Sequence, residues 1–199
     1  MLKGLRMSDV VEVKQVDGFD HPAGSKAREV AGGAEGWSGV LLNIHVAPAA
    51  SYEMEELFEA ECVAGKGIKG DRYYEKTGTY SAKPDVREVT LIEQEALDAI
   101  SRNDPPLQGG PIELLPADHR RNLTVRGVPL NHLVGRRFRV GDVILRGGRL
   151  NFPCKYLEDL LGQPVYLPLY NRSGLNCSIE RSGTIRVGDT IEMLDDAGY

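Results

Sequence analysis

Apolar and polar residues alternate along several short segments, a pattern typical of half-buried β-strands. The segment 40–46 predicts a first strand with one apolar face, made of Val40, Leu42, Ile44 and Val46. The segment 58–62 predicts a second strand, in which Cys62 shares the apolar face with Phe58 and Ala60. Cys62 is therefore expected to be a small buried side chain. A third strand is predicted over residues 86–91.

Two segments change to a helical period. Ile92, Ala96, Leu97 and Ile100 would share one face of a helix over residues 92–100, and Thr90 with Glu93 would form a capping box at its start. The segment 155–161 predicts a short second helix that ends at Gly162. Residues 102–118 contain four prolines and are expected to be mostly loop.

A short motif occurs twice in the C-terminal half. The segments 135–147 and 182–194 both contain Arg-Val-Gly-Asp-x-Ile, and each predicts a strand, a tight Gly-Asp turn and a second strand. In each turn the glycine would adopt a positive φ. Two such hairpins without intervening βα units favour a mainly β fold with a few short helices, an α+β arrangement built on a mixed, barrel-like sheet.

The chain is expected to divide into a main domain and two less regular ends. Residues 1–38 predict an irregular lead-in, with a short strand at 10–16. Residues 39–195 form the predicted domain, and 196–199 a tail. The sequence begins without the apolar block of a secretory signal and contains no run of 18 apolar residues, which predicts a cytoplasmic location and no membrane partner.

The charge is distributed unevenly. The net charge is −5, so attraction to nucleic acid is not expected. The segment from Arg120 to Lys155 nevertheless contains nine Lys and Arg residues against one acid, Asp142, a local charge of +8. Such a cluster is either a set of solvated strand residues or a basic pocket for a small anion, and charge alone does not separate the two.

The chain contains three cysteines and four histidines, and their number and spacing limit the metal and redox chemistry that can be expected. An odd, sparse set of cysteines argues against a disulfide framework. No CxxC or HxxxH spacing is present, which argues against a structural zinc site.

Cys154 is the most informative candidate for chemistry. It follows Pro153, which favours an extended neighbour, and it precedes the predicted helix that begins at Lys155. Free amide groups at a helix start and the charge of Lys155 would favour a thiolate, which is a nucleophile and a soft-metal ligand. The alternative is an inert buried cysteine.

Two further polar segments could bind an anion. Arg120, Arg121 and Asn122 follow His119, and paired guanidiniums with a carboxamide suit a phosphate or another oxyanion. The glycine-rich segment 65–80 contains Gly70, Asp71 and Arg72. There Arg72 could face a ligand, or it could simply pair with Asp71.

Taken in order, these motifs resemble the MOSC domain. The resemblance is carried by GIKGDRY, REVTLIEQEAL, RRNLTVRGVPL, PCKYLEDL and RSGLNCSIERSGTIRVGDTIEM, and it covers about residues 40–194. MOSC domains occur at the C-terminus of molybdenum cofactor sulfurases and as small stand-alone bacterial proteins. The resemblance implies a mixed β-barrel and binding of the molybdenum cofactor, a pterin with a dithiolene and a phosphate.

The resemblance also implies roles for particular residues. Cys154 stands where the family has its cysteine, which is regarded as a molybdenum ligand in amidoxime-reducing relatives and as a sulfur carrier or cofactor ligand in sulfurases. The cofactor-binding candidates, by motif or by charge, are Gly70, Asp71, Arg72, Arg120, Arg121, Asn122, Lys155 and Arg172. Cys177 is interpreted as structural, and a redox pair with Cys154 stays open.

Three functions follow as hypotheses. The first is a carrier that binds or receives cofactor or sulfur through Cys154, with a cysteine desulfurase as partner, since no pyridoxal phosphate site is expected on this chain. The second is a molybdenum-dependent oxidoreductase that reduces N-hydroxylated or other N–O substrates with an external redox partner. The third is an interaction module with a vacant site. The substrate and the oligomeric state are left open.

Overall fold

The computed structural model describes residues 36–79, 81, 87–107 and 110–194. The strand predicted at 10–16, most of the predicted lead-in and the predicted tail lie outside these ranges. Eleven strands and two α-helices occur in the described residues. They are β1 (Ser38–Val46), β2 (Glu55–Leu57), β3 (Glu59–Val63), β4 (Gly67–Ile68), β5 (Val89–Glu93), α1 (Gln94–Ser101), β6 (Leu123–Arg126), β7 (Arg137–Val140), β8 (Val143–Leu150), α2 (Lys155–Leu161), β9 (Leu175–Arg181), β10 (Gly183–Arg186) and β11 (Thr190–Met193).

Seven strands close into a barrel. The sheet order is β11-β7-β8-β9-β5-β6-β1, and β11 pairs again with β1, while β2 extends the sheet beyond β1. The pairings are antiparallel except that between β5 and β6, which is parallel. The predicted mixed β-barrel with a few short helices is therefore confirmed. Strands β10, β3 and β4 form a separate small sheet.

The strands that carry the site separate two apolar layers. Val89 and Leu91 of β5 and Leu175 of β9 point into the barrel core, as alternation along a strand requires. Ile92 points the other way, into a second core that includes Leu97 of α1, Leu157 of α2, and Ile112 and Leu114 of the predicted loop. This outer layer of helices and loops covers one wall of the barrel. None of the described helices has the length and apolar character to cross a membrane.

The predicted alternation in β1 is wrong in its first half. Leu41, Ile44 and Val46 are buried, whereas Val40 and Leu42 are only half-buried. A bulge shifts the register with β6 between Leu41 and Asn43, and an extra residue at a bulge exchanges the faces of a strand. In β3, Ala60 and Cys62 are buried as predicted, but Phe58 precedes the strand and is 73% exposed.

The repeated Arg-Val-Gly-Asp motif forms a paired hairpin only once. β7 and β8 pair directly, with Val140 opposite Val143. In the second copy β10 pairs with β3, and β11 pairs with β7 and β1, so the predicted second hairpin is wrong. Both glycines do adopt positive φ, 52° at Gly141 and 93° at Gly188. The motif sets the turn, and the available sheet edges set the pairing.

The predicted capping box at α1 is also wrong. Ile92 and Glu93 still belong to β5, where Ile92 lies opposite Thr124 of β6, and the helix begins only at Gln94. The hydroxyl of Thr90 bonds to Asn122 instead, and the carboxylate of Glu93 accepts the backbone N–H of Leu130. The second helix, in contrast, has the predicted bounds, and Gly162 ends it with φ 62°.

Candidate functional site

A cavity of about 210 Å³ lies against the outer wall of the barrel, beneath the outer layer. It is called the arginine cavity below, because four of the described residues that line it are arginines and none is an acid. The lining residues are Tyr73, Arg87, Thr90, Arg120, Arg121, Arg149, Asn151, Phe152, Pro153 and Cys154. A side cavity of about 50 Å³ shares Tyr73, Arg120, Arg121 and Cys154 with it and is further lined by Arg72, Thr79 and Tyr156.

Cys154 brings the only thiol to this cavity among the described residues. It has an extended backbone, with φ −139° and ψ 150°, directly before α2, and its carbonyl oxygen accepts the N–H of Leu157 at 3.1 Å. The side chain is half-buried and packs against the outer core. The other two cysteines are buried in the barrel core, where burial raises the pKa of Cys62 to about 12 and also raises the pKa of Cys177.

Arg121 is fixed in the cavity wall by three hydrogen bonds. Nε and Nη2 donate to the backbone oxygen and the hydroxyl of Ser173, at 3.0 and 2.6 Å, and Nη1 donates to the carbonyl of His119 at 2.8 Å. Burial lowers the pKa of Arg121 to about 10, and electrostatic interactions with Tyr73 and Cys154 raise this pKa and so oppose part of the effect of burial. The guanidinium therefore stays cationic at neutral pH and supplies a rigid positive charge beside Cys154.

Arg120 has an unsatisfied donor. Its Nη1 donates to the carbonyl of Tyr52 at 2.8 Å, whereas Nη2 is buried and has no hydrogen-bond partner within the described part of the chain. Burial and the neighbouring charge of Arg72 both lower its pKa. Because buried donors are nearly always paired in native proteins, this Nη2 is suited to donate a hydrogen bond to an anionic ligand.

His119 supports Arg121 from beneath. Its Nδ1 accepts the backbone N–H of Arg121 at 2.9 Å, so the ring proton lies on Nε2, which faces the hydroxyl of Thr124 at 3.0 Å. Burial lowers the pKa of His119 well below its usual value, and the charges of Arg121 and His45 lower it further. The ring is therefore neutral at pH 7 and acts as a scaffold rather than as a proton donor to the cavity.

A row of polar side chains crosses the strands below the cavity. Thr90 of β5 and Arg149 of β8 both lie opposite Asn176 of β9. Directly opposed residues point to the same face of a sheet, so these three side chains lie on one face, which is the floor of the cavity; Thr90 and Arg149 line the cavity, and Asn176 is buried between them. The row continues to Asn122, whose Oδ1 accepts the Thr90 hydroxyl at 2.8 Å and whose Nδ2 donates to the carbonyl of His45 at 3.1 Å.

The family model of the MOSC domain matches residues 78–192, more than half of the 199 residues. The chain belongs to the MOSC domain family. The matched range contains the floor of the cavity and Cys154. No curated protein matches this MOSC chain in sequence.

Solved structures share the fold of this MOSC domain. The YuaD protein from Bacillus subtilis aligns with a TM-score of 0.64 at 21% identity, over 78% of this chain and 97% of that one. YiiM from Escherichia coli aligns with a TM-score of 0.58 at 16% identity, over 81% of this chain and 72% of that one. YiiM from Geobacillus stearothermophilus aligns with a TM-score of 0.57 at 13% identity, over 79% of this chain and 75% of that one.

The structure brings some of the sequence candidates of the MOSC domain together. Cys154, Arg120 and Arg121 line the arginine cavity, and Arg72 lines the side cavity. Asp71 and Asn122 are fully buried and bonded to the protein itself. Gly70 is exposed, with φ 82°, at a turn outside both cavities. These three shape the scaffold around the cavity.

Lys155 and Arg172 lie away from both cavities. The ammonium of Lys155 pairs with Glu158 at 3.2 Å and Asp159 at 2.8 Å, and its side chain is 73% exposed. Arg172 donates from Nε to the carbonyl of Pro168 at 2.6 Å and from Nη1 to that of Asp104 at 2.8 Å. Arg172 therefore joins two loops of the outer layer.

Sequence reasoning missed four of the ten described residues that line the cavity. It named none of Arg87, Thr90, Arg149 and Asn151 as site residues, although they come from β5, β8 and the adjoining segments. The arginines of the basic segment 120–155 also divide between the cavity and the barrel surface. Arg137 and Arg146 pair with Glu180 on the barrel surface, and Arg139 pairs with Glu192, so part of the local charge is ordinary surface pairing.

Proposed function

We propose that this MOSC protein binds the molybdenum cofactor in the arginine cavity and carries or receives cofactor or sulfur through Cys154. The observation that supports it best is the combination of one half-buried thiol with four arginines and no acid among the described lining residues. This set of groups suits an anionic ligand that also contains a soft metal ion, to which the sulfur of Cys154 could bind.

The residues present fit the chemistry of that cofactor. Its phosphate matches the guanidiniums of Arg120 and Arg121, and the buried, unpaired Nη2 of Arg120 lacks an acceptor that a phosphate oxygen would provide. Cys154 would be the protein ligand to the metal. No group of three or more His, Cys, Asp or Glu able to hold a metal occurs among the described residues, so the remaining ligands would belong to the cofactor. When bound, the cofactor supplies a redox-active metal held by sulfur.

The size of the cavity favours a carrier. Pockets that enclose drug-sized ligands are about 300–1,000 Å³. The arginine cavity is about 210 Å³, so a pterin cofactor would remain partly accessible to a partner protein.

Arg121 would hold the anionic group of the cofactor, and the neutral His119 would keep Arg121 in place.

A sulfur-receiving step can be written for Cys154. The thiolate attacks the terminal sulfur of a persulfide on a partner desulfurase. The S–S bond of the donor breaks, the donor leaves as its thiolate, and Cys154 keeps the sulfane sulfur with its proton as a persulfide. The guanidinium of Arg121 would supply a positive charge beside the sulfur of Cys154 during this step.

The test is the content of wild-type and Cys154→Ser protein purified from a host that makes the cofactor. We expect molybdenum, measured by elemental mass spectrometry, and pterin in the wild type, and a large loss of molybdenum in the variant. Cys62→Ser is the matched control and should keep the wild-type content, because Cys62 lies in the barrel core. Absence of both molybdenum and a Cys154 persulfide from the wild type would reject this function.

The side cavity favours an oxidoreductase as a second candidate. It lies next to Cys154 and presents the hydroxyl of Tyr156, which bonds to Ser51 at 2.7 Å. A small N-hydroxylated or other N–O substrate would fit a space of this size. An enzyme should contain near-stoichiometric molybdenum and turn over N–O substrates with an artificial electron donor, and Tyr156→Phe should raise KM. A carrier should contain less molybdenum and show no turnover.

A further inference from the structure

The floor of the arginine cavity contains a pair of carboxamides that the proposed function does not use. Nδ2 of Asn151 donates to Oδ1 of Asn176 at 2.7 Å. Asn151 lines the cavity three residues before Cys154, and Asn176 is fully buried in β9.

The strand register places Asn176 under the cavity. It lies opposite Thr90 on one side and opposite Arg149 on the other, and both of these residues line the cavity. Its side chain therefore points to the cavity face of the sheet rather than into the barrel core, where its neighbours Leu175 and Cys177 lie. Asn176 is thus in a position to support Asn151 from below.

The hydrogen bond between the two carboxamides orients Asn151. Because its Nδ2 is turned toward Asn176, its Oδ1 is turned away. Within the described part of the chain this oxygen has no hydrogen-bond partner, and it is not among the atoms shut off from solvent. Among the described lining residues Asn151 has the only side-chain carbonyl, in a cavity whose four guanidiniums can only donate.

The buried amide of Asn176 is the alternative donor for this hydrogen bond. Its Nδ2 is buried without a partner among the described residues. If both carboxamides rotated together, Nδ2 of Asn176 would donate to Asn151, and Asn151 would turn its own N–H groups to the cavity. In the orientation that the structure shows, the carbonyl of Asn151 is turned to the cavity, and a carboxylate at position 176, which can only accept, would hold Asn151 in that orientation.

We propose that Asn151, positioned by Asn176, determines ligand specificity by accepting a hydrogen bond from the exocyclic amino group of an amino-substituted nitrogen heterocycle. The cavity would then favour an amino-substituted heterocycle over an oxo-substituted one, whereas the arginines, which can only donate, would favour the oxo group. The identification of that heterocycle as a pterin rests on the proposed function. Asn151 is a binding residue, and Asn176 is a positioning residue.

The experiment is a fluorescence titration of the full chain with two heterocycles of matched size, pterin and lumazine. Lumazine has an oxo group where pterin has its amino group, and a slightly acidic buffer keeps both neutral. We expect the wild type to bind pterin about three to ten times more tightly than lumazine, as one neutral hydrogen bond allows. Asn151→Leu should abolish this preference and leave the affinity for inorganic phosphate, measured by calorimetry, unchanged.

Two further variants separate positioning from folding. Asn176→Asp should keep the preference for pterin, because the carboxylate still accepts from Nδ2 of Asn151. Asn131→Leu is the matched control, since Asn131 is exposed and, within the described ranges, its side chain bonds to the carbonyl of Asn171. This variant should behave as the wild type.

The proposal is overturned if the wild type binds both heterocycles equally, if it binds phosphate but neither heterocycle, or if Asn151→Leu keeps the preference. The molybdenum content of the same proteins separates this result from the proposed function. A wild type that contains no molybdenum but prefers pterin through Asn151 rejects only the resident cofactor. A wild type that contains molybdenum while Asn151→Leu changes no preference rejects only the role of Asn151.

Discussion

The guanidinium of Arg72 donates a hydrogen bond from Nη2 to the carbonyl oxygen of Arg120 at 2.8 Å. This contact spans 48 residues of sequence and holds Arg120 in a left-handed conformation, with φ 59°. The same guanidinium bonds through Nη1 to Asp71 at 3.0 Å, and both side chains are almost fully buried. The Gly-Asp-Arg segment therefore acts on the cavity by fixing the backbone that presents Arg120.

Asp71→Ala should strongly destabilise the protein. It would leave the buried Arg72 without its counter-charge, and it would remove the acceptor for the N–H groups of Ala47 and Tyr73. Removal of one partner of a buried ion pair costs about 3–5 kcal/mol. Urea denaturation measures the loss. Glu61→Ala, which breaks an exposed pair with Lys69, is the control and should change stability far less. Equal effects of the two substitutions would contradict this role.

Arg120→Gln should weaken anion binding without unfolding the protein. One hydrogen bond to a charged group contributes about 1.5–3 kcal/mol, so the affinity for phosphate should fall by about ten- to a hundredfold. Isothermal titration calorimetry with inorganic phosphate measures it. Arg139→Gln removes an arginine that pairs with Glu192 on the barrel surface and should leave the affinity close to wild type. A comparable loss in both variants would mean that only net charge matters.

Cys154 should be the one cysteine of the folded chain that is readily alkylated. Its side chain is half-buried at a cavity, whereas Cys62 and Cys177 are buried and have raised pKa values. Iodoacetamide treatment at neutral pH followed by peptide mass mapping should find one adduct, at Cys154. Denatured protein should give three adducts, and folded Cys154→Ser none. Rapid modification of Cys177 in the folded protein would show that the barrel core opens.

Gly174→Ala should be far more destabilising than Gly162→Ala. Both glycines have a positive φ, 94° and 62°, which costs an alanine about 1–2 kcal/mol. A Cβ at residue 162 meets nothing within 4 Å, whereas at residue 174 it would meet the carbonyl oxygen of Leu91. The clash should raise the total cost of Gly174→Ala to about 3–5 kcal/mol. Thermal denaturation of the two variants checks which of them is less stable. A similar Tm for both would refute the prediction.

Stability should fall as the pH decreases below about 6.5. His119 has a folded-state pKa well below its ordinary value of 6.5, chiefly because it is buried. The unfolded chain therefore binds the proton first, and the stability contributed by the neutral ring is complete above pH 6.5 and is lost progressively below it, by up to about 1.4 kcal/mol per pH unit.

His119→Asn tests this origin. It keeps an acceptor for the N–H of Arg121 but cannot titrate, so urea unfolding between pH 7.5 and 5 should show a shallower loss than the wild type. His45, whose pKa burial also lowers, would account for part of what remains. An unchanged slope in the variant would exclude His119 as the cause.

Local pattern in the sequence was sufficient for the features that depend on neighbouring residues. The second helix from Lys155 to Leu161 and its end at Gly162 were predicted because apolar spacing and a left-handed glycine are local properties. The burial of Cys62 followed from alternation in the same way. Local pattern also placed Cys154 immediately before a helix.

The tertiary structure decided which side chains share the cavity. Lys155 is adjacent to Cys154 in sequence, but its side chain pairs with acids on the exposed side of α2. Arg149 and Asn176 lie 27 residues apart and meet only because β8 and β9 are paired in that register. Strand pairing depends on which edges remain available across the whole barrel, and a bulge such as that in β1 exchanges faces without a local signal. The sequence by itself thus determined the turns, the short helix and the position of the cysteine, whereas closure of the barrel decided which arginines and carboxamides surround it.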